Sequence, residues 1–241
     1  MKESILTATA VFLIAGAASL QAEPIFDAAI SAGIKSDYYF RGQQRADSIV
    51  ETEVDFTYGD AYAGIWFAEP FEARDSDIGW LYSNELNVFL GQNTQIDSYI
   101  NVMVPVILDV GITGFYYPER PSDDNPTWEP YVGLSFETLL NPSGYVYYDL
   151  TLETWTLQGT VSHTFELDNV SGVTVGAFVG FVSPDEGEEG AYYGVSAKYG
   201  YRLNSTTSVS FGVGYTDGED ARSGMNWDDG LSASLGLSIG L

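Results

Sequence analysis

Leu231-Ser232-Ala233-Ser234-Leu235-Gly236-Leu237-Ser238-Ile239-Gly240-Leu241 alternates without a break. Its odd positions are apolar and its even positions are serine or glycine. A repeat of two residues is that of a β-strand, whose successive side chains leave opposite faces. One face of this strand is therefore oily and the other small and polar. The chain repeats the pattern upstream, with Ile30, Ile34, Tyr38 and Phe40 set against Ser31, Lys35, Asp37, Tyr39 and Arg41. It does so again with Val50, Val54, Phe56 and Tyr58 against Glu51, Glu53, Asp55 and Thr57. A soluble sandwich and a barrel with an oily outside both fit this parity, so strand number and loop length have to separate them.

Read outward from the C-terminus, the pattern gives strands at about 28–41, 49–58, 61–68, 82–90, 95–117, 129–138, 144–152, 155–167, 172–182, 191–203, 206–216 and 229–241. The fifth keeps one parity from Ile96 to Tyr116 through Pro105 and is read as one long strand. Tight connections at Gly59-Asp60, 91–94, 139–143, 168–171 and Asn204-Ser205 alternate with long acidic ones at 69–81, 118–128, 183–190 and 217–228. Glu153-Thr154 is a short loop on the long side. An even strand number, short turns at one end and long loops at the other predict an all-β fold, a transmembrane antiparallel up-and-down β-barrel of about 12 strands.

Ahead of the barrel, Lys2 precedes an apolar, Ala-rich run from Ile5 to Leu20 that is short for a membrane span. Residues 1–22 are expected to be a signal peptide cut after Ala22, with Gly16-Ala17-Ala18 as a second possible site, and residues 23–241 the barrel. Asp and Glu outnumber Lys and Arg by 34 to 9, giving a formal charge of −25 that argues against nucleic acid as a partner. With no cysteine and one histidine, disulfide scaffolds, thiolate zinc sites, cysteine nucleophiles and two-histidine mechanisms are excluded.

The stretch Ser36-Asp37-Tyr38-Tyr39-Phe40-Arg41-Gly42 resembles the S-D-Y-x-F-R-G signature of the TorF family of porins, outer-membrane barrels of poorly defined function. Tyr62 to Trp66, Glu85 to Gly91, Asp109 to Pro118 and Glu129 to Gly133 follow in the family's order. The resemblance covers most of the mature chain, and its first motif is the specific one. A terminal Leu241, where barrels often end in an aromatic residue, departs from the usual pattern. The resemblance implies no catalytic residues.

On the polar parity, Lys35, Asp37, Arg41, Glu51, Glu53, Asp55, Glu85, Asp97, Asp109, Glu137, Asp149, Lys198 and Arg202 are expected to line a pore. On the oily parity, toward the long loops, Tyr38, Phe40, Phe67, Tyr82, Tyr116, Trp128, Trp155, Phe181, Tyr193, Tyr215 and Trp227 are expected to form an aromatic girdle. Arg41 is expected to bridge Glu51 at the lumen mouth and tie down the first loop, with paired numbers in strands one and two totalling 90 or 92. Gly172, Gly176 and Gly180 are read as making room on the inner face.

His163 shares the outward parity of Trp155 and Phe165, and no serine accompanies it, so it is read as an interfacial histidine and the protein as no enzyme. The steps Glu51, Glu53 and Asp55 would suit an acid and base pair, but the bases on neighbouring strands make lumen ion pairs the simpler reading. The loop carboxylates match no calcium-loop template, position 12 counted from Asp75 being Leu86, and are read as a solvated rim. No metal and no cofactor are expected. The expected partners are outer-membrane lipid, lipopolysaccharide and the barrel assembly machinery.

The function expected is a porin-like channel for small hydrophilic solutes, cation-preferring because acids outnumber bases on the inner parity. The alternatives are a non-conducting structural or adhesive barrel and a soluble exported barrel that binds an apolar ligand.

Overall fold

The computed structural model describes residues 25–71, 84–100, 103–118, 126–185, 189–219 and 229–241. The expected signal peptide lies outside them, as do Tyr82, Trp227 and most of the loop carboxylates. The strands are β1 (Phe26–Lys35), β2 (Tyr38–Phe40), β3 (Gln43–Ala46), β4 (Ile49–Tyr58), β5 (Ala61–Pro70), β6 (Glu85–Gln95) and β7 (Val106–Tyr116). They continue as β8 (Thr127–Phe136), β9 (Ser143–Asp149), β10 (Thr154–Glu166), β11 (Ser171–Pro184), β12 (Gly190–Arg202), β13 (Thr207–Glu219) and β14 (Gly230–Gly240). Among the described residues β1 and β4 to β14 close into a twelve-stranded antiparallel barrel, and β2 with β3 forms a separate two-stranded sheet. The barrel closes because β1 pairs on one side with β14, Ile30 opposite Ile239, and on the other with β4, Ile30 opposite Val54.

Parity decides which side chains face in. Along β14 every residue from Leu231 to Ile239 at an odd number is exposed, and every even one is partly covered by the interior. The outer face carries Leu90, Val110, Val132, Leu157, Val179, Val195 and Leu235, all exposed. His163 keeps to this outer parity, where its ring stands edge-on to Phe165 and Nδ1 donates to the Leu139 carbonyl at 2.7 Å.

Inside, aromatic rings lie across glycines on the neighbouring strand. Tyr62 stands opposite Gly91, Tyr131 opposite Gly111, Tyr145 opposite Gly133, Tyr192 opposite Gly180 and Phe178 opposite Gly194. A Cβ at any of these glycines would run into the ring of its partner. The absence of a side chain lets each ring lie flat along the wall and cover an otherwise weak strand position.

Two sequence expectations change here. Strand one does not run to Arg41: it stops at Lys35, and residues 36–48 return through β2 and β3 before β4 begins. Arg41 and Gly42 both have positive φ, 53° and 79°, the two-residue hairpin turn whose twist suits antiparallel strands. Lys35 consequently faces Ile49, so paired numbers total 84 and not 90 or 92. The fifth expected strand, 95–117, begins only at Val106. Residues 96–105 connect it to β6 and include one helical turn, Asp97–Ile100, so Asp97 lies on no strand. Pro105, which cannot donate to a ladder, sits where that connection meets β7.

Candidate functional site

The β2–β3 hairpin folds into the mouth of the barrel and crosses it. Its N-terminal end is anchored on β14, where the Ser36 amide donates to the Ala233 carbonyl and the Ala233 amide to Ser36 Oγ, both at 2.9 Å. Tyr39 reaches Gly230 at the start of that strand. On the far side Tyr38 packs on Trp66 of β5, with ring centroids 5.7 Å apart, and its hydroxyl donates to Glu85 on β6. Phe40 meets Phe115 of β7 edge-on at 5.8 Å. At the tip, Arg41 makes a forked pair with Glu129 of β8, Nη1 to Oε2 and Nη2 to Oε1, each 2.7 Å. The guanidinium also lies over the rings of Phe40 and of Tyr147 on β9.

This corrects two girdle assignments. Tyr38 and Phe40 pack against buried interior aromatics because their segment has left the wall, and parity carried past Lys35 no longer distinguishes outside from inside. It also corrects the partner of Arg41, which is Glu129 and not Glu51. Glu51 instead accepts from Lys35 Nζ at 2.8 Å and from Trp66 Nε1 at 3.1 Å. Glu129, 3% exposed, was readable from the sequence, since it shares the inward parity of Tyr131. A buried, bidentate pair of this kind holds position strongly: removing one partner leaves an uncompensated charge, typically at a cost of about 3–5 kcal/mol. It holds Arg41 in a left-handed conformation that non-glycine residues seldom adopt.

Below the hairpin, β5 to β9 fill their side of the lumen. Tyr62, Gly91, Gly111 and Tyr131 share one row across four strands, a span of roughly 14 Å. The two tyrosines lean toward each other over the glycines until their hydroxyls meet. Tyr62 donates to Asp109 Oδ1 at 2.7 Å and Tyr145 to Oδ2 at 3.0 Å, so Asp109, 1% exposed, is a buried bracket for two rings. With its one proton given to Asp109, Tyr62 accepts from Tyr131.

The opposite side is open. An open space runs along β12, β13, β14, β1 and β4. Its wall is small, with Ser31, Gly33, Ser208, Ser210, Ser234 and Ser238, and it meets Glu51, Glu53 and Asp55 on β4 and Lys198 on β12.

The remaining expected pore residues are dispersed. Asp37 accepts from Ser36 and Gln44 within the hairpin. Glu85 is buried and bonded to Tyr38 and Asn87. Asp149 ends β9 and caps the following loop through the Thr151 and Leu152 amides. Glu137 lies past the end of β8, exposed in the turn, and is no wall residue, a second correction of the same kind as Asp97. Arg202 is the exposed last residue of β12. Phe67, Tyr116, Trp128, Trp155, Phe181, Tyr193 and Tyr215 hold outward positions on β5, β7, β8, β10, β11, β12 and β13.

No family model matches the chain, and no curated protein matches it. Solved structures do. The KdgM porin aligns over 88% of this chain and 98% of its own at 11% identity and a TM-score of 0.58. The NanC porin aligns over 88% and 98% at 14% identity and 0.54. The COG4313 outer membrane channel from Pseudomonas putida F1 aligns over 92% and 97% at 7% identity and 0.56. The fold is that of outer-membrane porins. At these identities the likeness concerns backbone architecture alone, and the contents of the lumen have to be read from this chain.

Proposed function

We propose that this protein is a porin-like channel of the bacterial outer membrane, passing small hydrophilic solutes by diffusion and preferring cations. The observation that carries the reading is the eccentric open space: serine and glycine on one wall, Glu51, Glu53 and Asp55 on the other, and, among the described residues, Lys35 and Lys198 to offset them. Carboxylates lining a narrow path attract cations and repel anions. A KdgM porin structure contains disordered oligogalacturonate. The acids of β4 make this lumen a poor host for such an acidic oligosaccharide.

The TorF resemblance gains support from the hairpin, since Ser36, Asp37, Tyr38, Phe40 and Arg41 of that motif each make a contact that folds or anchors it. Residues 1–22 act as the cleaved export signal, the assembly machinery inserts the barrel, and the outward leucines and valines meet lipid, with lipopolysaccharide at the long-loop end. No enzymatic role is assigned.

The hairpin across the mouth favours a second reading, a barrel kept closed. Planar-bilayer recording of the refolded protein and of Arg41→Ala separates the two. A wild type that conducts, with a larger step in Arg41→Ala and a reversal potential on the cation side, is the expected result. A silent wild type opened by Arg41→Ala identifies a plugged barrel, and silence in both rejects the channel.

A further inference from the structure

The strand register brings four oxygen-bearing side chains into one row on the open side of the lumen. Glu53 of β4 stands opposite Ser31 of β1, Ser31 opposite Ser238 of β14, and Ser238 opposite Ser208 of β13. All four line the open space. On its other flank Glu53 faces Trp66, which is 2% exposed and closes that side. We infer that Glu53, Ser31 and Ser238 form a binding station for one monovalent cation, either an alkali ion or the ammonium group of a small amine solute.

Glu53 itself points to a ligand. It is 5% exposed, and its Oε1 is buried with no hydrogen-bond partner among the described residues. A buried carboxylate oxygen left without a donor is unusual in a folded protein, and a bound cation is one way to satisfy it. Serine hydroxyls and a carboxylate are hard oxygen donors, suited to alkali ions, and they accept equally well from an ammonium group.

Charge sets the valence. Lys35 is engaged by Glu51 at 2.8 Å, so that pair is neutral. Glu53 and Asp55 then face Lys198 from β12 across the same space, two carboxylates against one ammonium. A bound cation favours the ionised form of Glu53, and the one negative charge then left over matches a monovalent ion. Divalent ions want several carboxylates, and among the described residues no three acidic or histidine side chains converge to hold a metal.

The station deepens the cation-channel reading, but it can be tested without any current. Line broadening of ²³Na NMR is followed as the folded wild type in detergent is titrated with sodium chloride, and the ion is then displaced with potassium or with methylammonium. Saturable broadening is expected in the wild type. Glu53→Gln should weaken it roughly tenfold, the loss of one close charge attraction. The double variant Ser31→Ala with Ser238→Ala should weaken it about threefold, and Lys198→Gln should tighten it, because the local charge becomes more negative. These last two variants carry the test should Glu53→Gln fail to fold, since their shifts have opposite signs.

Displacement by methylammonium as well as potassium extends the station to amine solutes, and displacement by potassium alone confines it to alkali ions. Broadening unchanged in Glu53→Gln, or reversed only by calcium, overturns the station. Bilayer recordings keep the two hypotheses apart. Sodium binding without current removes the channel and leaves the station, while a cation-preferring current without saturable sodium broadening removes the station and leaves the channel.

Discussion

The two halves of the lumen obey one parity rule and end in opposite states. From β5 to β9 the inward positions alternate tyrosine or phenylalanine with glycine on the neighbouring strand, and the rings close the interior. On β13 and β14 they are mainly serine and glycine, and the interior stays open. Glycine is common to both. On the filled side it receives a ring, and on the open side it faces a hydroxyl or space, as at Gly236 beside Ser210 and at Gly200 with nothing within 4 Å of a Cβ. Inner side-chain size, therefore, and not strand number alone, sets the bore of this barrel.

The largest effect is expected from crossing the wall. Leu235 and Ser234 are adjacent on β14, the first outward and exposed, the second lining the open space. In lipid vesicles Leu235→Arg should destabilise the folded barrel by roughly 2–4 kcal/mol. Ser234→Arg should fold and reduce conductance. Urea unfolding monitored by heat-modifiable gel mobility measures the first, and bilayer recording the second. Equal tolerance of both substitutions would contradict an oily outside and an aqueous interior.

The comparison between halves is broken most directly at glycine. A valine at Gly133 must displace the Tyr145 ring and, with it, one of the two hydroxyls on Asp109. Overpacking of this kind costs about 1–3 kcal/mol. Gly200→Val, on the open side, should leave the unfolding midpoint within experimental scatter. Should Gly200→Val prove as costly as Gly133→Val, the open half is as tightly packed as the closed one.

At the border of the halves Tyr192 lies over Gly180 and donates to Gln158 Oε1 at 2.6 Å, fully buried. Tyr192→Phe keeps the ring and loses the donor. The expected destabilisation is about 1 kcal/mol, read from the same urea transition. No change would mean that the ring over glycine, and not its hydroxyl, secures this part of the wall.

Much of this was visible in the residues. The run Leu231 to Leu241 already separates outside from inside, and the positions of the twelve strands follow from the same alternation. What parity cannot sense is a chain that leaves the sheet while keeping its alternation. That happened twice, at residues 36–41 and 96–100, where apolar and polar residues continue to alternate while the backbone turns away. The Arg41-Gly42 turn was a local clue, because glycine second in a two-residue loop is a hairpin signal. The Arg41–Glu129 pair joins residues 88 positions apart. It depends on which strand lies across the lumen from the hairpin, and no local pattern encodes that distance.

The smallest effect is expected outside both halves, in the short turn between β10 and β11. Asp168 Oδ1 accepts from the Val170 amide at 2.9 Å, from the Ser171 hydroxyl at 2.9 Å and from the Ser171 amide at 2.8 Å. These donors favour the ionised carboxylate, the Val170 amide most, and hold its pKa below the ordinary aspartate value. A pKa lowered in the folded state contributes stability above the unfolded value, near 4, and loses it as pH falls through the folded one. Asp168→Asn keeps an acceptor for the turn and removes the titration. Its unfolding midpoint at neutral pH should move little, and the difference from wild type should shrink further as the buffer is taken below about pH 4. A difference that grows on acidification would reverse the sign and show that the carboxylate is held protonated in the turn. In either case the variant should leave conductance and ion preference untouched, because Asp168 touches neither the rings of one half nor the serines of the other.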